Sequence, residues 1–280
     1  MNGEIILDGL RFPESPRWHG GSLWLSEKRA GRVLRVAPDG AVTTVAEVPG
    51  GPGGIGWLPT GEMLVVSMAD CRLLRAGPGG ELTEVADLSH LTRGKCNDMV
   101  VDRHGRAYVG DFGYDLAAGQ SPAPASLVLV TPAGDVSRVA GQLHFPNGTV
   151  VTADGATLIV AESAANRLSA FQIGFDGSLS GRRVFAELGS VVPDGICLDA
   201  EGAVWVADPM AGEVVRVAEG GETLDRRSTG DGAFACALGG HDGCTLFACI
   251  YSEAASMDPA GPPVGRLVSF PVDVPSGGSP

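Results

Sequence analysis

Residues 147–163 read NGTVVTADGATLIVAES, which is two short apolar segments joined by a glycine-containing turn. The same arrangement recurs as NDMVVDRHGRAYVGDF at 97–112 and as DGICLDAEGAVWVADP at 194–209. Segments rich in Val, Leu, Ile, Trp and Tyr that are separated by D-G, H-G and E-G turns are typical of antiparallel hairpins. These stretches therefore predict a repeated all-β unit.

The repeat occurs six times along the 280 residues. The three further units contain SLWLSE at 22–27, EMLVVSM at 62–68 and FACALGGHDGCTLFACIY at 234–251. Turn glycines are spaced by 40, 44, 50, 47 and 41 residues, the length of a four-stranded propeller blade; they are Gly21, Gly61, Gly105, Gly155, Gly202 and Gly243. We predict a six-bladed β-propeller with four-stranded blades, occupying residues 1–280 as a single domain.

The acidic balance of the chain limits its partners. The net charge of −13 and the pI of about 4.7 argue against nucleic acid and against an anionic membrane surface. The sequence contains no apolar stretch of 18 residues, and residues 1–4 lack the basic start of a signal peptide. We expect a cytoplasmic protein that acts on a small molecule, and the sequence does not indicate its oligomeric state.

The cysteines are expected to be reduced. None of the six belongs to a C-x-x-C pair, and a chain of this length does not need disulfide staples. Cys236 and Cys249 are equidistant from the turn at Asp242-Gly243, so we expect their side chains to face each other across a hairpin as free thiols.

Polar residues recur at one position per repeat. Asn97, Asn147 and Asp194 each lie eight residues before a turn glycine, and Glu14 lies seven before the first. The first strand of a propeller blade lines the central channel, so these four side chains are expected to meet at one channel mouth. A second set lies six residues after the glycines and is expected at the same mouth; it comprises Glu27, Ser67, Asp111, Ala161 with Glu162 next to it, Asp208 and Cys249.

The donor atoms of the first ring are carboxylate and amide oxygens. Such hard ligands favour Ca²⁺, Mg²⁺ or Mn²⁺ over Zn²⁺. A cation held by three protein ligands keeps positions for water and substrate and can polarise a carbonyl or phosphoryl oxygen. Hydrolysis of an activated ester or lactone is consistent with this site, and so is cation binding without catalysis.

At these residues the chain resembles the SMP-30/gluconolactonase/LRE family, the regucalcin-like sugar lactonases. The resemblance covers about residues 10–255 and rests on four elements, which are Phe12-Pro13-Glu14-Ser15-Pro16-Arg17-Trp18, Cys96-Asn97-Asp98, Phe145-Pro146-Asn147-Gly148, and Pro193-Asp194-Gly195 followed by Val204-Trp205-Val206-Ala207. It implies a six-bladed propeller that hydrolyses lactones with one divalent ion. Ca²⁺ is expected first, with Mg²⁺, Mn²⁺, Fe²⁺ and Zn²⁺ as alternatives.

The resemblance also implies a role for individual residues. Glu14, Asn147 and Asp194 match the metal ligands, and Asp194 also matches the general base. Asn97 matches a residue beside the ion that contacts substrate or a metal-bound water. Asp115 matches an acidic substrate-binding position.

The chain departs from the family pattern two residues before Asn97. Sugar lactonases often carry arginine there, whereas this chain has Lys95, whose ammonium cannot grip two oxygens in the same geometry. We expect Lys95 and Asn97 to bind substrate and to stabilise the developing oxyanion while Asp194 accepts a proton from water. Two alternatives stay open: a phosphotriesterase-like hydrolase that uses the same metal site, and a non-catalytic calcium- or ligand-binding propeller.

Overall fold

Each repeat predicted from the sequence folds as a four-stranded antiparallel sheet, and six such sheets surround a central channel. The computed structural model describes residues 3–115, 118–252 and 262–279. The innermost strand of each blade contacts the innermost strands of the two neighbouring blades, so the six sheets form a closed ring. The predicted six-bladed β-propeller is confirmed.

The first five blades place their strands in chain order from the channel outward. Blade 1 contains β2 (Pro13–His19), β3 (Ser22–Glu27), β4 (Arg32–Val36) and β5 (Val42–Glu47). Blade 2 contains β6 (Pro52–Trp57), β7 (Met63–Ser67), β8 (Arg72–Ala76) and β9 (Leu82–Asp87). Blade 3 contains β10 (Cys96–Val101), β11 (Ala107–Asp111), β12 (Ala125–Val130) and β13 (Val136–Leu143). Blade 4 contains β14 (Pro146–Thr152), β15 (Thr157–Glu162), β16 (Arg167–Ile173) and β17 (Leu179–Glu187). Blade 5 contains β18 (Ile196–Leu198), β19 (Val204–Asp208), β20 (Glu213–Val217) and β21 (Thr223–Ser228).

The sixth blade joins the two ends of the ring. It contains β22 (Gly232–Gly239), β23 (Thr245–Tyr251) and β24 (Gly265–Pro271), and its outermost strand is the N-terminal β1 (Glu4–Leu10). Ile5 pairs with Val268 and Leu10 with Gly265 in an antiparallel ladder. The backbone hydrogen bonds of β1 thus hold the first and last blades together, which the repeat pattern alone did not predict.

The C-terminal segment crosses the far end of the channel. The Ser276 amide donates to the Gly243 carbonyl of blade 6, and the Gly277 amide donates to the Leu198 carbonyl of blade 5. The short strand β25 (Gly278–Ser279) then pairs with Val151 and Thr152 at the end of β14. Asn147 lies at the other end of β14, so the tail covers the channel end opposite to the predicted site.

Glycines allow the innermost strands to approach closely where the site is built. A Cβ atom on Gly148 would lie 2.4 Å from the Ile196 amide nitrogen of the next blade, far inside van der Waals contact. The Gly148 amide instead donates a 3.1 Å hydrogen bond to the Asp194 carbonyl. This backbone contact fixes the start of blade 4 against the start of blade 5.

Helical structure is confined, within the described residues, to one 3₁₀ turn at Ser163–Ala165 that follows β15. Nowhere in that part of the chain is there a helix with the length and apolar character needed to cross a membrane.

The cysteine pairing expected from the turn at Asp242-Gly243 is wrong by one residue. Pairing runs without interruption from Gly239 opposite Thr245, so the hairpin is centred on Asp242 and not between Asp242 and Gly243. Ala235 is therefore opposite Cys249, and Cys236 is opposite Ala248. The Cys236 sulfur lies instead 3.7 Å from the sulfur of Cys197 in blade 5. All six cysteines are free thiols, as predicted.

Candidate metal centre

The predicted ring lies at one mouth of the channel. Glu14, Asn97 and Asn147 are each the second residue of the innermost strand of their blade, and Asp194 precedes β18. The Asn97 side-chain amide donates to the Pro146 carbonyl at 3.2 Å, which links blade 3 to blade 4 next to Asn147. Together with the bond from Gly148 to Asp194, these contacts bring blades 3, 4 and 5 together at the ring.

Two carboxylates dominate the electrostatics of the ring. Burial raises the pKa of Glu14 above its ordinary value of 4.5, and the ammonium of Lys28 opposes this effect. Burial, and then the nearby charge of Glu14, raises the pKa of Asp194 well above its ordinary value of 3.8. Both effects disfavour a second negative charge in this space. A cation bound between the two carboxylates would favour their ionised forms and lower both pKa values.

One oxygen of Asp194 has no partner. Its Oδ1 atom is buried and accepts no hydrogen bond from the part of the chain that the structure describes. An unpaired buried carboxylate oxygen is costly, since the water it has lost is not replaced. A metal ion is one group that would satisfy it.

The amide of Asn147 is held so that its oxygen can face the ring. Its Nδ2 atom donates to the Ser163 hydroxyl at 3.3 Å, and that hydroxyl donates to the Pro193 carbonyl at 2.6 Å. Because the nitrogen is engaged by Ser163, the amide oxygen is the atom left to act as a ligand. Ser163, at the start of the 3₁₀ turn, is therefore a supporting residue that the sequence did not single out.

These donors fit a hard divalent ion. Two carboxylates and one amide oxygen provide the oxygen ligands that Ca²⁺, Mg²⁺ and Mn²⁺ prefer. The described ranges contain no cluster of three or more His, Cys, Asp and Glu side chains arranged for a metal. The candidate set therefore depends on the amide of Asn147 as its third protein ligand.

Lys28 belongs to the site and was missed at the sequence level. It follows β3 directly, and its ammonium nitrogen lies 2.9 Å from Oε1 of Glu14. The side chain is 20% exposed, so the ion pair is at the edge of the mouth. Its backbone amide donates to the Phe12 carbonyl at 3.0 Å. The sequence could have indicated Lys28 by its position, because it is one residue after Glu27, where the second strand returns to the mouth.

A buried ion pair lies beside the ring. Arg17 of blade 1 donates to Oδ1 of Asp98 in blade 3 at 2.9 Å and to the Met99 carbonyl at 3.0 Å. The two side chains are only 3% and 8% exposed. Arg17 pairs with the Asp98 carboxylate, whose charge is one of the causes that raise the pKa of Glu14. Both residues belong to the sequence elements quoted above, but their contact was not predicted.

The second predicted set lies at the same end of the blades as the ring, but its carboxylates do not join the ring. Glu27 accepts hydrogen bonds from the Arg11 amide and the Arg32 side chain, and Glu162 accepts from four donors within its own blade. The reason is the strand register. Pro13 is opposite Glu27 and Pro146 is opposite Glu162, so these side chains share a face with the prolines and not with the neighbouring ligands.

The two remaining members with carboxylates behave in the same way. Asp111 accepts hydrogen bonds from the backbone amides of Arg93, Gly113 and Ser126, and Asp208 accepts from those of Met210 and Ala211. These carboxylates therefore hold the loops at the mouth through hydrogen bonds to backbone amides.

Lys95 and Asp115 are placed less directly than the sequence suggested. Lys95 is exposed and precedes β10, and a register irregularity follows Cys96. Lys95 therefore lies outside the strand that carries Asn97, and the two residues do not share a regular strand face. Oδ1 of Asp115 accepts a 3.1 Å hydrogen bond from the Ala118 amide in the loop after β11. The substrate-binding roles of both residues stay predictions.

Aromatic side chains line two sides of the mouth. Phe12 packs on Phe234 and Tyr251 with ring centroids 4.8 Å apart in both pairs. Phe112 stacks on Phe145 at 4.7 Å. Phe12 and Phe145 each precede a candidate ligand by two residues and have φ of 65° and 58°, so the backbone turns sharply at both positions. These rings give the polar site an apolar rim.

Several known proteins are similar to this chain. Regucalcin from Danio rerio is 30% identical over 182 residues, which cover 63% of this chain and 60% of that protein. Regucalcin from Macaca fascicularis is 24% identical over 275 residues, 92% of this chain and 88% of the relative. The match to regucalcin from Oryctolagus cuniculus spans only 51% of that relative.

Solved structures share the fold. A calcium-binding regucalcin from Agrobacterium tumefaciens superimposes with a TM-score of 0.82 at 21% identity, covering 99% of this chain and 96% of that one. A gluconolactonase from Xanthomonas campestris gives 0.78 at 22% identity, covering 95% and 89%. The sequence model of the SMP-30/gluconolactonase/LRE-like region matches residues 12–250. The chain belongs to the SMP-30/gluconolactonase/LRE-like family.

Proposed function

We propose that the chain is a metal-dependent hydrolase that opens a small lactone. The observation that carries this proposal is the buried, unpartnered Oδ1 of Asp194 beside the carboxylate of Glu14. The names of two similar proteins support the proposal. One is a calcium-binding protein, which supports the metal, and another is a gluconolactonase, which supports lactone opening.

Glu14, Asn147 and Asp194 would hold the ion. When bound, a divalent ion in this site supplies a Lewis acid that can polarise the carbonyl of a lactone. We propose Ca²⁺ as the ion, because the donors are oxygens and one of them is a neutral amide.

The remaining steps belong to side chains of this chain. Asp194 accepts the proton of the attacking water, and Asn97 donates to the oxyanion that develops on the carbonyl oxygen. One N–H of the Asn97 amide is used by the Pro146 carbonyl, which fixes the plane of the amide and directs its other N–H. Lys95 adds a positive charge at the same mouth, and Asp115 contacts the substrate.

The rim orients the substrate. Phe12 and Phe145 flank the polar site and are half-buried, so each ring is packed on one side and open on the other. A lactone ring that lies between them loses water from its apolar faces while its carbonyl points to the polar centre. The aromatic rim thereby supports a small cyclic substrate.

The test uses protein stripped with a chelator and then reconstituted with Ca²⁺, Mg²⁺, Mn²⁺ or Zn²⁺. Hydrolysis of aldonolactones, aliphatic γ- and δ-lactones and a phosphotriester is followed by proton release. We expect lactone opening that is lost on chelation, restored by metal, and absent in Asp194→Asn. Glu201→Gln is the matched control, since Glu201 is 66% exposed in the turn between β18 and β19 and pairs with Arg216.

Two other results would replace the proposal. Turnover of the phosphotriester without any lactone would indicate a phosphotriesterase-like enzyme on the same site. Metal binding with no hydrolysis across the panel would indicate a non-catalytic binding propeller.

A further inference from the structure

Lys28 contacts one of the two carboxylate oxygens that Glu14 would offer to a metal ion. Its ammonium lies 2.9 Å from Oε1 of Glu14, which is hydrogen-bond distance for a charged pair. Glu14 is 10% exposed and Lys28 20% exposed, so the contact is largely shielded from solvent. The ammonium also lies 5.4 Å from the centre of the Phe12 ring, a favourable distance for a cation.

Lys28 differs from the other cation near the ring in the carboxylate with which it pairs. The ring and its surroundings contain three carboxylates, Glu14, Asp98 and Asp194. Arg17 is committed to Asp98 and to two backbone carbonyls in the interior. Lys28 is therefore the cation that pairs with Glu14 within the described residues, and it reaches the ring from the partly open side.

A divalent ion bound to either oxygen of the Glu14 carboxylate would lie close to the Lys28 ammonium on Oε1. The two cations would repel each other at contact distance in a shielded site. Since Lys28 is attached through a flexible four-carbon stem and is partly exposed, it can turn away into the mouth. The ligands themselves are fixed by the innermost strands and cannot follow it.

We propose that Lys28 is an internal counter-ion that a divalent metal must displace from Glu14, and that this exchange sets the metal affinity of the site. The inference rests on the metal site of the proposed function. It predicts weak, readily reversible metal binding, since each binding event breaks the ion pair. In the metal-free protein, Lys28 keeps the buried carboxylate of Glu14 neutralised.

The first test is calorimetric titration of chelator-stripped protein with Ca²⁺ and with Mn²⁺. Lys28→Met keeps the length of the side chain and removes its charge, so we expect it to bind each ion at least about tenfold more tightly than the parent. Arg29→Met is the matched control. Arg29 is the next residue, but its guanidinium contacts the Tyr251 hydroxyl and the ring of Phe12. The control should stay within about threefold of the parent.

Equal tightening in both variants would overturn the inference, because it would reflect net charge and not the contact with Glu14. Unchanged or weaker binding in Lys28→Met would overturn it as well, and weaker binding would show that the lysine orients Glu14 for the metal. Failure to bind metal in parent and variant alike would remove both this inference and the proposed metal site. Metal binding that is tightened in Lys28→Met, without hydrolysis of any lactone, would remove only the proposed activity.

The second test uses the fact that the chain has two lysines, Lys28 and Lys95. Each is labelled with an amine-reactive reagent and quantified by mass spectrometry, with Lys95 as the internal reference. Metal should raise the labelling of Lys28 relative to Lys95 by severalfold, since the ammonium leaves Glu14. An unchanged or lower ratio at saturating metal would contradict displacement.

Discussion

Removing the charge of Glu162 should lower the free energy of unfolding by an amount that can be calculated from its surroundings in the structure. Its carboxylate is fully buried at the end of β15 and accepts hydrogen bonds from four donors. These are the Arg167 and Arg182 side chains at 3.0 and 2.7 Å, the Ser169 hydroxyl at 2.5 Å and the His144 amide at 2.9 Å. The next residue is Ser163, which holds the amide of Asn147.

The pKa of Glu162 gives the size of its contribution to the free energy of unfolding. Burial alone would raise the pKa, but the hydrogen bonds outweigh it and lower the pKa from 4.5 to about 2. A depressed pKa in the folded state means that the ionised carboxylate stabilises the fold above pH 4.5. This contribution is lost as the pH falls toward 2. The two values correspond to roughly 3 kcal/mol at pH 7 and roughly 1 kcal/mol at pH 3.

Glu162→Gln mimics the protonated carboxyl, so it should lower the free energy of unfolding by these amounts. Equilibrium urea unfolding of parent and variant at pH 7 and pH 3 measures both. Glu219→Gln is the control, because Glu219 is 59% exposed and pairs with Arg183 at the surface, where an ion pair contributes roughly 0–1 kcal/mol. A difference between parent and Glu162→Gln that is the same at both pH values would refute the reasoning.

Three further predictions concern the site and the cysteines. Asn147→Ala should weaken metal binding by roughly 10- to 100-fold and be partly rescued by excess metal; a variant that titrates like the parent would remove Asn147 from the ligand set. Lys95→Ala should lower kcat/KM by roughly 10- to 100-fold, the loss of one charged hydrogen bond; unchanged kcat/KM on every hydrolysed lactone would place Lys95 outside the site. Thiol titration of unfolded, unreduced protein should give six thiols, whereas four would indicate a disulfide, most directly between Cys197 and Cys236, whose sulfurs are 3.7 Å apart.

The fold was readable from the sequence because the repeat is local. Each turn glycine is in a hairpin whose two strands are adjacent in the chain, and Gly61, Gly105, Gly155, Gly202 and Gly243 all adopt positive φ as such turns require. Ring closure was not readable in this way. β1 pairs with β24 across almost the whole chain, and nothing in its own residues identifies that partner.

The candidate ring was predictable for the same reason. Glu14, Asn97, Asn147 and Asp194 occupy equivalent positions in equivalent blades, so a count back from the turn glycine finds them, at eight residues for three of them and at seven for Glu14. The count forward from the glycines found residues at the same mouth, but their carboxylates do not join the ring, because side-chain direction depends on register. Glu27 is opposite Pro13 and not opposite Glu14, which turns its carboxylate to the other face of the sheet.

Contacts made by flexible side chains lay beyond the sequence argument. Lys28 reaches Glu14 from a loop, and Arg17 reaches Asp98 across two blades. Neither pair has a fixed spacing or a residue type that identifies it. The expected pairing of Cys236 with Cys249 failed because the hairpin is centred on Asp242, and a one-residue change of register changes which side chains face each other.

The central claim is that Glu14, Asn147 and Asp194 hold one divalent ion at the channel mouth. Titration of chelator-stripped protein with Ca²⁺, followed by calorimetry, tests it most directly. We expect one ion per chain in the parent and no measurable binding in Asp194→Ala, with both proteins folded by circular dichroism. Binding of Ca²⁺ by Asp194→Ala with the stoichiometry and affinity of the parent would contradict the claim.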